Sequence, residues 1–395
     1  MKKYTMNPLA IKRLKRGEKL LQVEDFADRA IAMLEEGQSI ELVDDKGRFL
    51  AYALVGHQNK GLAWTYSNQK NERWSQDWVS DCIEQAIRKR DTLLASAETN
   101  AFRLFNGEGD GIGGMTLDWY AGYVQINWYS LGLYQYRKWV IEAVTSLLDV
   151  IGIYETKRFN GLGEEVAIDH SWGQTAPQPL IILENNVRYA VYLGHEWMTG
   201  IFLDQREVRS FVKTQAQAGK VLNLFSYTGA FSVAAALGGA QQTVSVDVAK
   251  RSLERTQEQF ALNGIEAKVP DHEIRVMDVF DYIQYAKRHQ LAFEWVICDP
   301  PSFARTKKYR FRAEKDYLTL ARDLLGLTQV GGMCLLSTNH AAYDKNQFIK
   351  DIQQAMQEAN GSYQIIQQFG LPEDFPTSPD KTSAYLKVVI VYRQA

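Results

Sequence analysis

Four stretches in the second half of this 395-residue chain put acids, a glycine or prolines at the end of an apolar run. KVLNLF leads into Asn223-Leu224-Phe225-Ser226-Tyr227-Thr228-Gly229-Ala230, TVSVDV carries Asp247, EIRVMD ends on Asp278, and FEWVIC opens onto Asp299-Pro300-Pro301-Ser302-Phe303. In open α/β sheets, ligands bind beyond the carboxyl ends of the strands, where the strand order reverses. A dinucleotide needs G-x-G-x-x-G in the first such loop, so that the backbone can approach a pyrophosphate. Here Ser226 and Tyr227 fill that region and only Gly229 remains. A nucleoside cofactor without phosphates tolerates this loop, which favours S-adenosylmethionine over NAD. Asp247, about twenty residues on, is placed to accept from both ribose hydroxyls, a role common to the two cofactors. Asp278 suits the exocyclic amine of adenine. Any one of these acids alone reads as a helix N-cap, but three at successive strand ends argue for a ligand site. At the fourth end, Asp299 and the Pro300 carbonyl present acceptors to the edge of a base, and Phe303 offers a stacking face. The two prolines fix φ and hold those acceptors in place.

The elements that must carry these residues are strands KVLNLF, TVSVDV, EIRVMD, FEWVICD and GMCLLSTN, alternating with helices expected at 230–237, 249–262, 279–289, 313–329 and 344–358. Continuous apolar strands alternating with helices imply a parallel sheet covered on both faces. YQIIQQFG and AYLKVVIVY follow with only a Pro-rich loop between them, so they pair antiparallel, directly or around a neighbour. The fold class is α/β, with a Rossmann-like sheet and an antiparallel last strand, the arrangement of a class I methyltransferase. Upstream, SIELV, RFLAYALVG and LAWTYS read as a small β module, followed by a helix at 78–94. MTLDWY and YVQINWYS read as a hairpin, 134–148 as a helix, and IILENNVRYAVYL as a hairpin turning at Asn185-Asn186. The Gly-rich 107–114 is followed by no helix and closed by no Lys-Ser/Thr, so a flexible loop is expected there, not a phosphate cradle.

The length allows two or three domains. A net charge of −2 gives no whole-molecule basic field, so a nucleic-acid partner must be argued from patches. Cys82, Cys298 and Cys334 fit neither a disulfide framework nor a zinc site, and no metal is expected. With no signal-like leader and no membrane-length apolar stretch, a cytoplasmic chain without a membrane partner is expected. Two basic clusters stand out. One is Lys2, Lys3, Lys12, Arg13, Lys15, Arg16 and Lys19, which by itself reads equally as a solvated face. The other, Arg305, Lys307, Lys308, Arg310, Arg312 and Lys315, abuts the proposed acceptor pocket, where a polyanion would need neutralising. RNA is the expected partner, with Arg305, Lys307, Lys308 and Arg310 on phosphates and Phe303 offsetting part of the cost of unstacking a base.

LNLFSYTGAFSVAA, SVDVAKRSLERTQEQFALNG, VICDPPSFARTKK and the preceding GIFLDQREVR closely resemble the bacterial large-subunit rRNA cytosine-C5 methyltransferases. The likeness is strong over the last half of the chain, weak in the middle, and carried near the start by the short strands around GRFLAYALV. It implies a small β-rich PUA-like RNA-binding domain at 1–75, a central α/β domain at 76–200 and the methyltransferase at 201–395. It also implies 23S rRNA as partner and an S-adenosylmethionine site lined by Phe225, Ser226, Tyr227, Thr228, Gly229, Asp247, Asp278 and Asp299. Gln205 and Arg206 would lie near the cofactor and Phe303 near the acceptor base. A homodimer is left open. One departure matters: the family's catalytic cysteine follows the fifth strand in an S-C-S-like context, and here that stretch is Ser337-Thr338-Asn339-His340. Cys298 and Cys334 read as core residues. Methylation at cytosine C5 needs a thiolate adding at C6, so the expectation tilts to a nitrogen acceptor oriented by Asp299, Pro300 and Phe303, with a displaced cysteine as the alternative. A non-catalytic RNA-binding or ribosome-assembly factor that retains the fold, and a small-molecule methyltransferase, are the rival functions.

Overall fold

Lysines crowd the N-terminus, yet β1 (Lys3–Thr5) joins β2 (Leu20–Leu21), β3 (Ser39–Val43), β4 (Phe49–Gln58) and β5 (Gly61–Ser67) in a sheet ordered β1-β3-β4-β5-β2. The computed structural model describes residues 1–28, 31, 33–58, 61–159, 168–195, 198–306 and 308–395. Helix α1 (Pro8–Lys15) starts on Asn7, whose side chain accepts from Ala10 N at 2.8 Å, with Pro8 in the first turn where no N–H is needed. Its basic last turn suits the negative end of the helix dipole. The N-terminal basic cluster is partly neutralised from within: Arg13 meets Glu18 at 2.7 Å and Asp25 at 2.9 Å, and Lys3 lies 3.6 Å from Glu41.

The next elements are α2 (Gln76–Arg88), α3 (Asp91–Leu94), β6 (Ala101–Asn106), β7 (Met115–Tyr120), β8 (Tyr123–Trp128), α4 (Leu131–Tyr134), α5 (Arg137–Leu147), β9 (Gly152–Lys157) and β10 (Ile168–Gly173). Their strands form a sheet ordered β10-β9-β8-β7-β6. The helix expected at 134–148 is two pieces, because the chain breaks at Gln135 and Tyr136, whose hydroxyl reaches the Gly37 carbonyl at 2.8 Å. Tyr52, Leu54 and Tyr66 share one core with Val79 and Ile83 of α2 and with Phe102, Leu117 and Ile126 of the second sheet. The Gly-rich stretch is a packed turn where a flexible loop was expected. A Cβ at Gly113 would come within 2.2 Å of the Trp64 ring, and buried Asp110 pairs with Arg90 at 2.7 Å.

By internal contacts the chain forms two units: Met1–Leu183 with Val191–Thr199 and Glu373–Ser383, and Glu184–Ala190 with Gly200–Pro372 and Ala384–Ala395. Strands β11 (Leu180–Glu184) and β12 (Val187–Val191) form the expected hairpin, with Asn185 and Asn186 at φ +50° and +63°, the left-handed pair a type I′ turn requires.

The second unit holds α6 (Arg206–Gln215), β13 (Lys220–Leu224), α7 (Ala230–Leu237), β14 (Gln242–Asp247), α8 (Ser252–Leu262), β15 (His272–Val276), α9 (Val279–Arg288) and β16 (Phe293–Cys298). A small hairpin of β17 (Phe303–Arg305) and β18 (Arg310–Arg312) follows, then α10 (Ala313–Leu327), β19 (Thr328–Thr338), α11 (Lys345–Glu358), β20 (Tyr363–Phe369) and β21 (Lys387–Arg393). The main sheet is ordered β15-β14-β13-β16-β19-β21-β20. The first five strands run parallel, and β21 is antiparallel to both β19 and β20. Alternation along each strand divides its side chains between two cores. Leu222, Leu224, Val244 and Val296 pack with Tyr282 of α9, Leu320 and Leu324 of α10 and Phe348 of α11. Val221, Trp295, Ile297 and Leu335 pack with Val208 and Val212 of α6 and Phe231 of α7. Burial on both faces is why these strands read as continuous apolar runs. Among the described residues no helix is long and apolar enough to cross a membrane.

Candidate active site

The strand order reverses between β13 and β16, and the carboxyl ends of β13, β14, β15, β16 and β19 gather the residues that sequence singled out. Past β13 the backbone is forced into an unusual path: Phe225 and Tyr227 have φ of +56° and +53°, and Gly229 +76°. Left-handed backbone at non-glycine residues costs on the order of 1–2 kcal/mol each and persists only where surroundings fix it. Here Ser226 N donates to Val246 O (3.1 Å), Gly229 N to Ser226 O (2.7 Å), and Thr228 Oγ1 to Gly200 O (2.7 Å). Gly229 is needed twice over, since a Cβ would also lie 2.4 Å from Thr256 of α8. The Ser226 hydroxyl is buried without a partner.

Asp247, half-buried at the end of β14, is held from both sides. Oδ2 accepts from Tyr227 N and Oδ1 from Ala249 N, each at 2.9 Å. Each oxygen keeps a lone pair for a further donor. Asp278 caps α9 by accepting from Phe280 N at 2.9 Å, so the ordinary helix-cap role is realised there alongside any ligand role. Phe280 in turn sits 6.1 Å from Phe225, 5.9 Å from Phe311 and 5.2 Å from Tyr309. An aromatic cluster thereby links the first loop to the β17–β18 hairpin.

Asp299 follows β16. Its Oδ2 accepts from Gln205 Nε2 at 3.0 Å, and the same amide nitrogen donates to Ser337 Oγ at 2.9 Å. Asp299 Oδ1 and Gln205 Oε1 are both buried with no partner. Burial pushes the Asp299 carboxyl up to about 6, opposed by hydrogen bonding from Ser337 and Gln205. An unpaired buried acceptor costs about 1–3 kcal/mol, so a pair of them points to a ligand that brings donors. Arg206 is buried beside Gln205, with Nε 3.2 Å from Glu207. Pro300 is buried and Pro301 exposed. Ser302 Oγ donates to Asn339 Oδ1 at 3.0 Å, tying this segment to the end of β19.

Phe303 opens the hairpin with its side chain half in solvent, and the Arg310 guanidinium lies 5.7 Å from its ring centre. Phe303, Arg305, Thr306, Lys308, Tyr309 and Arg310 line an open recess of about 350 Å³. Arg305 and Arg310 are exposed. Lys308 is exposed but compensated, as its Nζ lies 2.9 Å from Asp281 of α9, which also accepts from Tyr309 at 3.1 Å. Lys307 lies outside the described residues. Neither thiol of the sheet reaches this site. Cys298 and Cys334 are fully buried in the core, and burial pushes the Cys334 thiol up to about 12 and that of Cys298 well above its ordinary value.

Sequence reasoning placed Gln205 near the site only through the family resemblance, and gave no role to Ser337 or Ser302. The signal for Ser337 is the S-T-N stretch ending β19, and that for Ser302 is its place inside D-P-P-S-F.

A family model described as S-adenosylmethionine-dependent methyltransferase matches residues 167–392, and a PUA-like domain model matches residues 5–68. A Bacillus subtilis (strain 168) protein, YwbD, provisionally named a ribosomal RNA large subunit methyltransferase, is 45% identical over 399 residues, covering 100% of both chains. Ribosomal RNA large subunit methyltransferase I of Aeromonas salmonicida (strain A449) is 28% identical over 362 residues, 90% of each. Among solved structures, SMU.776, described provisionally as a methyltransferase and complexed with SAH, has a TM-score of 0.90 and 39% identity, covering 99% of this chain and 100% of that one.

Proposed function

The chain belongs to the S-adenosylmethionine-dependent methyltransferase family, and from that premise we propose that it methylates a base of large-subunit (23S) ribosomal RNA. The observation that carries the RNA-base reading is the buried, unpartnered Asp299 Oδ1 next to Pro300, followed a few residues on by Phe303, Arg305 and Arg310, which wall an open recess. Such a segment suits a planar base with a polyanionic backbone better than a small free metabolite. The names of the Bacillus and Aeromonas relatives support the same substrate. We assign 1–75 to a PUA-like RNA-binding part, 76–200 to a central α/β part and 201–395 to the transferase.

The residues present fit the cofactor. The Ser226 hydroxyl and the second lone pairs of Asp247 are unspent, and the left-handed turn at Phe225–Gly229 suits a cofactor with no pyrophosphate to cradle. Phe225, Ser226, Tyr227, Thr228 and Gly229 would form its wall, Asp247 would take the ribose hydroxyls, Asp278 the adenine amine, and Gln205 and Arg206 would close the side near Asp299. When bound, S-adenosylmethionine supplies a methyl group made electrophilic by its sulfonium. The chain's own work is then orientation. Asp299 Oδ1 and the Pro300 carbonyl accept from the N–H of a base amine, aiming the nitrogen lone pair, while Phe303 stacks on the ring. Alignment of this kind can supply several kcal/mol of rate acceleration.

We place the methyl group on nitrogen. Carbon-5 of cytosine becomes nucleophilic only after a thiolate adds to C6, and the two nearby thiols are buried and held protonated. Incubation with 5-fluorocytosine-substituted ribosomal RNA tests this. No covalent adduct, with a nitrogen-methylated base in the digest, is expected. An adduct that disappears in Cys334→Ser would overturn the assignment and make Cys334 the nucleophile.

A further inference from the structure

Lys387 opens β21 as the register partner of Thr338, the last residue of β19. It is 5% exposed, unusually buried for a lysine. Its Nζ donates to the His340 carbonyl at 2.7 Å, which also accepts from Tyr343 N at 3.1 Å. Burial pushes the ammonium down to about 8, opposed by the negative charge of Asp344 at the N-cap of α11. A buried charge of this kind is retained at a cost, and nothing in the cofactor or base contacts uses it.

What it holds is the turn that faces the D-P-P-S-F segment. Within two residues of that carbonyl, Asn339 Oδ1 accepts from Ser302 Oγ (3.0 Å), His340 N donates to Thr338 Oγ1 (3.3 Å), and His340 Nε2 lies 3.3 Å from Glu314 of α10. Asn339 is exposed, and with its carbonyl oxygen taken by Ser302 its amide N–H groups are the end left for a ligand. β16 and β19 are neighbours in register up to Cys298 and Leu336, so Asn339 and Asp299 leave adjacent strands at the same edge.

Resting on the reading that Asp299 orients an acceptor base, we propose that Lys387 is a positioning residue for methyl transfer: its ammonium fixes the Asn339–His340 turn, so that Asn339 stands beside Asp299 and Pro300 to hold the base. Lys387 touches neither cofactor nor base. Its effect travels through the His340 carbonyl to Asn339, and Ser302 is the second anchor of the same turn.

The test compares wild type, Lys387→Met, Lys387→Arg, Asn339→Ala and the Lys387→Met/Asn339→Ala double variant, using ribosomal RNA as methyl acceptor and calorimetry for S-adenosylmethionine binding. Lys387→Met is expected to lower kcat about tenfold or more, with cofactor affinity within twofold of wild type. Arginine should restore most of the activity, and the double variant should be no slower than Asn339→Ala. A folded Lys387→Met with wild-type kcat, or losses that multiply in the double variant, would overturn the proposal. If the methionine variant does not fold, Ser302→Ala releases the turn from its other anchor. A kcat-selective loss is expected there, and unchanged kcat counts against the proposal. Absence of ribosomal RNA methylation by the wild type would strike the underlying function instead, so the two failures are distinguishable.

Discussion

At Asp299 burial lifts the carboxyl from 3.8 to about 6, and that shift has two consequences of known sign. Between those values the folded protein holds a proton that the unfolded chain releases. The group's contribution to stability is therefore full at low pH and lost as pH rises through about 6. Asp299→Asn should remove that slope from a difference plot of wild-type and variant stability against pH. The ionised carboxylate is purely an acceptor, whereas protonation turns one oxygen into a donor that faces the N–H of Gln205 or of the base, so methyl transfer should rise with pH through about 6. A rate profile flat across that range would count against Asp299 as the orienting acceptor. Asp247 is the complementary case, an acid already aimed by two backbone N–H groups. Asp247→Ala should weaken S-adenosylmethionine binding by about 2–3 kcal/mol, the scale of losing charge-assisted hydrogen bonds. Calorimetry showing wild-type affinity would remove Asp247 from the site.

The basic groups of the β17–β18 hairpin are of unequal value. Arg305 and Arg310 are exposed, while Lys308 is already paired with Asp281. Neutralising Arg305 and Arg310 together should lower RNA affinity and flatten its logarithmic salt dependence by about two units, roughly one per phosphate contact. Lys308→Gln alone should change the slope less, and Asp281→Asn, by freeing Lys308, should raise RNA affinity. Equal slopes in all these variants would make the hairpin a solvated face. The same element shows where sequence stops being informative. Strands β13, β14, β16 and β19 were legible because burial on both faces writes an apolar run, and Asp247 and Asp299 were legible as the polar residues that end such runs. β1 is three residues long and exists through its pairing with β3, and β10 is an exposed, polar sequence, so neither leaves a periodic trace. Gln205 meets Asp299 across 94 positions, and Lys308 meets Asp281 across 27. Contacts of that kind depend on the folded sheet, which is why the charge count around the hairpin overstated its free cations.

At the scale of the whole molecule, a PUA-like match at residues 5–68 and a methyltransferase match at 167–392 share one chain. The first unit joins the N-terminal sheet to the second sheet through a common core, so Tyr52, Leu54 and Tyr66 serve both. Truncating the chain after the N-terminal sheet would expose that aromatic core, and activity measurements therefore belong on the full chain. We propose that this chain moves a methyl group from S-adenosylmethionine to a nitrogen on a base of large-subunit ribosomal RNA. That transfer is tested most directly by incubating the whole chain and radiolabelled cofactor with unmodified 23S ribosomal RNA, then identifying the labelled nucleoside by mass spectrometry. Label is expected in one nucleoside, methylated on a base nitrogen, and none when Asp299 is replaced by alanine. Label at cytosine C5, or no RNA-dependent transfer from a protein that still binds the cofactor, would contradict it.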